Sequence, residues 1–209
     1  NYYSMSSGRF TFYLNNPADS YSLPSDKIYT VFRDSHDTLW ILSNKDRDRL
    51  PSRLSQMTST KGKFKNYPYD FYNGIIETSN NNLYIGGFNG FCLMERATGR
   101  FIHYRNNRIS KVIALYEDSK GILWIGSFGG LARYDPQSGK YKYYSQAEGY
   151  PVHHVHGITG DDENNLWIST NYGLIKLVNI INSPDSFTFR VFTRDDGLPS
   201  SEFIAYNAS

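Results

Sequence analysis

Residues 112–131 have the sequence VIALYEDSKGILWIGSFGGL, and the pattern of this stretch recurs along the chain. Its centre, a Leu, an aromatic residue and an Ile, occurs four times. The four triplets are Leu39-Trp40-Ile41, Leu83-Tyr84-Ile85, Leu123-Trp124-Ile125 and Leu166-Trp167-Ile168. Their aromatic residues are 44, 40 and 43 positions apart. That period is typical of a four-stranded β-propeller blade, which takes about 40–45 residues.

Turn residues stand at fixed offsets from each triplet. Two residues before each Leu is a residue that tolerates positive φ, namely Asp37, Asn81, Gly121 or Asn164. Six residues after the aromatic residue stand Asp46, Gly90, Gly130 and Gly173. A further glycine, followed by a basic and an aromatic residue, recurs at Gly8, Gly62, Gly99 and Gly139. Three turns in each unit predict four antiparallel strands.

The fold class predicted from these signals is all-β. The first strand of the third unit, residues 112–116, is apolar on both faces, which indicates a strand covered by neighbouring sheets on each side. No stretch of about eleven or more residues has apolar residues at the helical period. A β-sandwich or an up-and-down barrel also alternates strands and turns. Neither alternative explains why three turn signals recur in register.

We predict four complete blades and a partial blade at each end of the chain. The complete blades are residues 27–67, 71–104, 109–144 and 153–193. Residues 1–22 would end a preceding blade, and residues 202–209 would begin a following one. We expect the chain to be part of a larger ring, because an open stack leaves strand edges and an apolar sheet face uncovered.

The composition excludes some classes of partner. The chain has 22 Lys and Arg against 20 Asp and Glu, a net charge of +2. Proteins that bind nucleic acid by neutralising phosphates carry a larger basic excess, so we expect no nucleic acid partner. Cys92 is the only cysteine, so the chain forms no internal disulfide.

The third unit, residues 112–131, resembles the two-component regulator propeller repeat. The fourth unit follows the same pattern at Asp161, residues 166–170 and Gly173. Residues 196–203, DGLPSSEF, are similar to the link into the last blade of such propellers. The resemblance is closest in the third and fourth units and looser in the first and second.

This resemblance implies a periplasmic sensor domain of a Bacteroides-type hybrid two-component system, built on seven-bladed propellers. Such a domain reports a glycan breakdown product through a membrane helix to a histidine kinase. The implied partners are an oligosaccharide, the remainder of the propeller, the downstream domains and a second copy in a homodimer. This sequence contains neither the kinase nor the membrane helix.

The candidate ligand-binding residues lie in loops at one rim of the propeller, where such folds carry function. A ring face beside glycines and amides suits stacking on a sugar. The candidates are Phe88, Asn89, Phe128, Asn171 and Tyr172 in the second turns, with Tyr150 and His153 in the loops between blades. Packing between blades is the alternative role for these aromatic residues.

The first unit has an insertion of basic and acidic residues after Trp40. Arg47 and Arg49 in this segment are candidates for binding a carboxylate or sulfate in bidentate fashion. Repeat proteins often place insertions on the binding face. A solvated loop that neutralises its own charges is the alternative.

The sequence predicts no metal, no cofactor and no catalytic residue. His153, His154 and His156 are possible metal ligands, but alternation along a strand would turn His153 away from the other two. No nucleophile with an adjacent base is recognisable. The alternatives are a propeller enzyme, such as a polysaccharide or antibiotic-ring lyase, and a protein-binding scaffold. Histidine paired with a carboxylate at the rim would favour the enzyme, whereas aromatic and amide groups would favour a sensor.

Overall fold

The computed structural model describes residues 2–5, 7–44, 52–59, 62–200 and 202–203. These residues form antiparallel strands and two 3-10 helices, Gln146–Glu148 and Arg194–Asp196. The predicted all-β architecture is confirmed. The chain divides into two compact units, Asn1–Asn73 and Gly74–Ser209. Arg47 and Arg49 lie outside the described residues.

The first unit contains a two-stranded and a four-stranded antiparallel sheet. The two-stranded sheet pairs β1 (Tyr2–Ser4) with β2 (Arg9–Thr11). The larger sheet has the strand order β3 (Lys27–Arg33), β4 (Leu39–Asn44), β5 (Ser52–Ser59) and β6 (Lys63–Glu77). Each strand pairs with the next along the chain, as a meander requires.

The second unit contains three successive meanders. The first has the order β6, β7 (Leu83–Gly87), β8 (Gly90–Glu95) and β9 (Arg100–Arg105). Only residues 74–77 of β6 belong to this unit. The second has β10 (Ala114–Glu117), β11 (Leu123–Ser127), β12 (Gly130–Asp135) and β13 (Lys140–Tyr144). The third has β14 (Val155–Gly160), β15 (Leu166–Thr170), β16 (Gly173–Val178) and β17 (Thr188–Phe192).

The predicted turn residues have the backbone conformation that the sequence requires of them. Asp37, Asn81, Gly121 and Asn164 have φ values of 62°, 62°, 73° and 64°. Gly90, Gly130 and Gly173 have φ values of 118°, 114° and 131°. These angles lie where residues with a β-carbon are rare, which explains the recurring residue types. Asp46, the equivalent residue of the first repeat, lies outside the described residues.

An aspartate at the end of the first strand closes the first turn in three of the repeats. Its carboxylate accepts a hydrogen bond from the indole nitrogen of the tryptophan six residues later. The pairs are Asp34 with Trp40 at 2.8 Å, Asp118 with Trp124 at 2.7 Å and Asp161 with Trp167 at 2.8 Å. In the remaining repeat Tyr84 replaces the tryptophan, and Thr78 replaces the aspartate. The two positions therefore change together, because a tyrosine offers no indole N–H.

Consecutive residues of β11 face different neighbouring sheets. Trp124 packs in a buried cluster with Val155 and Ile168 of the following sheet. Ile125 packs in another buried cluster with Tyr84 of the preceding sheet. Since side chains alternate along a strand, both faces of this sheet are covered. Sheets stacked in this way bring the loops of successive repeats close to one another.

Candidate functional site

The second turns of two neighbouring sheets are joined through the segment before β10. The Lys111 backbone N–H donates to the Phe88 carbonyl oxygen at 2.8 Å. The Phe128 N–H donates to the Ser110 carbonyl oxygen at 3.1 Å. Both turns thus have a fixed position relative to Lys111, and they carry two of the aromatic residues predicted to bind ligand.

Four rings continue from this point in a chain of contacts. The ring of Phe128 stacks on His154 with a centroid distance of 4.6 Å and an interplanar angle of 17°. The His154 centroid is 4.4 Å from that of His153, which in turn meets Tyr172 edge to face at 6.0 Å. The structure therefore brings three predicted site residues, Phe128, His153 and Tyr172, into one group. We refer to Phe88, Lys111, Phe128, His153, His154 and Tyr172 as the rim cluster.

Lys111 is a site residue that sequence reasoning missed. Its φ is 52°, and the other non-glycine residues with positive φ among the described residues are all Asp or Asn. For a lysine this conformation costs about 1–2 kcal/mol. Its Nζ lies 4.8 Å from the Phe128 ring centroid and 5.7 Å from that of Phe88. No local signal predicts this placement, because the hydrogen bond that holds the backbone comes from another repeat.

The rim cluster offers solvent-exposed ring surface with polar groups beside it. Phe88 is 42% exposed and Tyr172 is 61% exposed. Asn89 is exposed, while Phe128, His153 and His154 are half-buried. The Tyr172 N–H donates to the Thr170 hydroxyl at 3.1 Å, which fixes the backbone of the turn. Exposed aromatic rings on fixed turns can stack on a sugar without losing much side-chain freedom.

Several buried polar atoms near the cluster have no hydrogen-bond partner among the described residues. They are His153 Nδ1, His156 Nδ1, Ser169 Oγ and Asn171 Oδ1. His156 lies in a β-bulge of β14, where the register to β15 shifts between Val155 and Gly157. A buried polar group without a partner costs about 1–3 kcal/mol. These atoms therefore need a partner from outside the described residues, such as water or a ligand.

Burial and neighbouring positive charge lower the pKa of two histidines, His154 and His156. Burial is the largest cause that lowers the pKa of His154, and His153 and Lys111 lower this pKa further. Burial also lowers the pKa of His156, as does His154, while Glu202 raises it. The groups around His154 therefore favour its neutral form, and they create a positive potential where the rings meet.

The surroundings of Tyr150 and the start of β14 differ from what the sequence led us to expect. Tyr150 was expected at the rim, but its ring stacks on Phe187 with centroids 5.4 Å apart and meets Tyr144 at 5.3 Å. Both Tyr150 and Phe187 are partly buried against the apolar cluster between two sheets. The alternation argument for His153 also fails, since β14 begins only at Val155.

The described residues contain no group of three side chains able to hold a metal ion. None of the three histidines near the rim hydrogen-bonds a carboxylate within this part of the chain; Glu202 acts on His156 only through its charge. The described residues at the rim thus provide aromatic, imidazole, amide and ammonium groups.

The first unit has a hollow of its own. Its volume is about 770 Å³, within the usual range of small-ligand sites. Asn15, Asp19, Asn66 and Tyr67 are among the lining residues. Asn66 Nδ2 donates to the Ser22 carbonyl oxygen at 2.8 Å, which holds the loop on one side of the hollow. The loop joins two predicted blades, as rim loops do.

Solved structures with this fold are propellers. The extracellular domain of the putative hybrid two component system BT3049 from B. thetaiotaomicron aligns with a TM-score of 0.72 and 19% identity, over 98% of this chain and 27% of that one. The corresponding domain of BT4673 has a TM-score of 0.59 and 19% identity, over 85% of this chain and 22% of that one. Virginiamycin B lyase from Staphylococcus aureus has a TM-score of 0.61 and 15% identity, over 81% of this chain and 57% of that one. The chain is therefore a β-propeller protein, and it spans about a quarter of the length of the first of these neighbours.

The repeats can be assigned more closely than the fold. The profile of the two component regulator propeller family matches residues 22–45 and 104–129. The resemblance predicted from the sequence is confirmed for these two segments, which are similar to the two component regulator propeller repeat. The matched segments fall in the first and third units, whereas sequence reasoning placed the closest resemblance in the third and fourth. A search of the curated proteins found no match to this chain.

No helix among the described residues has the length and apolar character needed to span a membrane.

Proposed function

We propose that this chain is a ligand-sensing propeller module of a hybrid two-component regulator, and that it recognises a glycan-derived signal at the rim cluster. The single observation that carries the proposal is the continuous group of rings from Phe128 to Tyr172, exposed at one end and bordered by unpartnered polar atoms. Sugar sites combine ring faces with a few fixed polar groups in this way.

The proposed setting follows from the repeats and from the structural neighbours. The domains of BT3049 and BT4673 are described as extracellular domains of two-component systems. We place the full protein accordingly, with this module in the periplasm and with a histidine kinase as the recipient of the signal. The remainder of the propeller and a second copy of the protein are its proposed partners.

An enzyme such as a lyase has less support. Three histidines lie near the rim, but none hydrogen-bonds a carboxylate among the described residues, so a general base held by an acid is not formed there. Exposed aromatic and amide groups are the features expected of a sensor.

The proposal is tested by binding measurements on the propeller with a panel of neutral and acidic oligosaccharides, using thermal shift and then calorimetry. Tyr172→Ala and Phe88→Ala should each weaken binding by about tenfold or more, the loss of roughly 1.4 kcal/mol that a central aromatic contact supplies. Phe189→Ala is the matched control, because Phe189 is similarly exposed at 46% but lies on β17. Unchanged affinity in both rim variants would reject the site.

A further inference from the structure

Lys111 is held in place by contacts from two sheets. Its backbone N–H bonds to the turn that carries Phe88, and the preceding carbonyl oxygen accepts from Phe128. Its left-handed backbone directs the side chain so that the ammonium group lies near both rings. Strained residues of this kind are concentrated at functional sites, where the surrounding structure maintains them.

The ammonium group of Lys111 has no carboxylate partner among the described residues. The other basic residue in this loop, Arg108, differs in this respect, because it forms an ion pair with Glu148 and stacks on Tyr143 with its guanidinium carbon 3.7 Å from the ring centroid. Lys111 is therefore the cation of this loop that is available to a ligand.

The titratable groups around Lys111 come from three other segments. His153 and His154 precede β14, His156 lies within it, and Tyr172 lies in the turn after β15. Glu202 lies in the segment after β17, and its negative charge raises the pKa of His156. An anion beside Lys111 would thus meet cationic or neutral groups on the side of the histidines.

We propose that the rim cluster selects acidic saccharides, with Lys111 and the adjacent His153 and His154 binding a carboxylate or sulfate while Phe88 or Tyr172 stacks on a sugar ring of the same ligand. This inference rests on the proposed function and names the ligand class of the same site. An ammonium group between two ring faces suits a ligand that has an apolar ring face and an anionic substituent on one molecule.

His154 makes the binding of such a ligand dependent on pH. An anion stabilises the imidazolium form, so affinity for an acidic saccharide should rise as the pH falls through the histidine pKa. Burial and Lys111 lower the pKa of His154, so the increase should occur on the acid side of about pH 6.5, the ordinary value. A neutral saccharide should show no such increase.

The test uses two matched pairs of ligands, cellobiose with cellobiouronic acid, and N-acetyllactosamine with its 6-sulfate, in calorimetry on the propeller. The acidic member of at least one pair should bind about tenfold more tightly than the neutral one. Which pair shows the preference distinguishes carboxylate from sulfate. Lys111→Asn should abolish the preference while preserving the fold, because asparagine tolerates positive φ. Lys140→Asn, at an exposed position on β13, is the matched control and should leave the preference unchanged.

Three results would count against the inference. The first is equal affinity within both pairs, and the second is an acidic preference that survives Lys111→Asn. Either result would reject the role of charge. The proposed function would still stand if Tyr172→Ala weakens binding. The third is that neither pair binds and that no oligosaccharide in an array of neutral and acidic members binds. The proposed function would then fail as well. Circular dichroism and thermal unfolding of Lys111→Asn establish that a loss of binding is not a loss of fold.

Discussion

Asp118 Oδ2 accepts a hydrogen bond from Trp124 Nε1 at 2.7 Å, while Oδ1 of the same carboxylate accepts from the N–H groups of Lys120 and Ile122 at 2.9 and 3.1 Å. Asp118 is only 5% exposed and Trp124 is fully buried. One side chain therefore closes the first turn and satisfies the indole that packs between two sheets. The repetition of this contact in three repeats indicates a structural role in the first turn of each repeat.

Replacing Asp118 with Ala should lower the free energy of unfolding by about 3 kcal/mol, because it leaves the indole N–H and two backbone N–H groups without their acceptor. Chemical denaturation measures the change. Asp162→Ala is the control, since Asp162 is an exposed carboxylate in the corresponding turn of the last sheet, and we expect a change within about 0.5 kcal/mol. Equal losses in the two variants would contradict a specific role for the carboxylate.

Gly126→Ala should destabilise the packing between the last two sheets. An added β-carbon would lie 2.5 Å from Val155 Cγ1 and 3.1 Å from Ala114 Cβ. Overpacking of this kind costs about 1–3 kcal/mol, and thermal or denaturant unfolding measures the loss. The additional change Val155→Ala should recover part of it by making room for the methyl group. A double variant that is less stable than the sum of its single changes would show that the steric explanation is wrong.

Acidification should destabilise the protein through its half-buried histidines. In the unfolded chain the histidine pKa is about 6.5, and burial lowers the pKa of His154 and His156 in the folded chain. Below about pH 6.5 the unfolded state therefore takes up protons more readily, and stability falls until the pH passes the folded pKa. Melting temperatures at about pH 7.5 and about pH 5.5 should differ less in His156→Gln. An identical difference in this variant and the unmodified protein would exclude His156 as a contributor.

Truncation should lower the stability of the protein at Tyr150 but not at Tyr172. Tyr150→Ala removes ring contacts to Tyr144 and Phe187 inside an apolar cluster, and should lower the free energy of unfolding by about 3 kcal/mol. Tyr172→Ala removes a ring that is 61% exposed, and the change should stay within about 0.5 kcal/mol. Unfolding experiments on the two variants separate packing residues from candidate ligand contacts. A large loss of stability in Tyr172→Ala would assign it to packing.

The turns were predictable because their chemistry is local. Asn81 and Asn164 adopt positive φ where the sequence places a hairpin turn, and the conformational preference of these residues is independent of what surrounds them. The limits of individual blades remain predictions. One strand, β6, continues through the predicted junction at residues 67–71.

The candidate site was only partly predictable. Phe128, His153 and Tyr172 were identified from loop position and residue type, and the structure brings them together. Tyr150 lies in the same loop between predicted blades as His153, yet its ring stacks on Phe187. Loop position alone does not distinguish these outcomes, because the direction of a loop side chain depends on the space left by the neighbouring sheet.

The sequence by itself determined the repeat, the strand order and the turn conformations, since these depend on residue types a few positions apart and on a period of about 42 residues. Only the tertiary structure decided that Lys111 lies between Phe88 and Phe128 and that Phe128 meets His154. The physical reason is that sheet stacking sets the distances between loops of different repeats. The hydrogen bond from Lys111 to Phe88 supports a backbone conformation that lysine rarely adopts by its own preference.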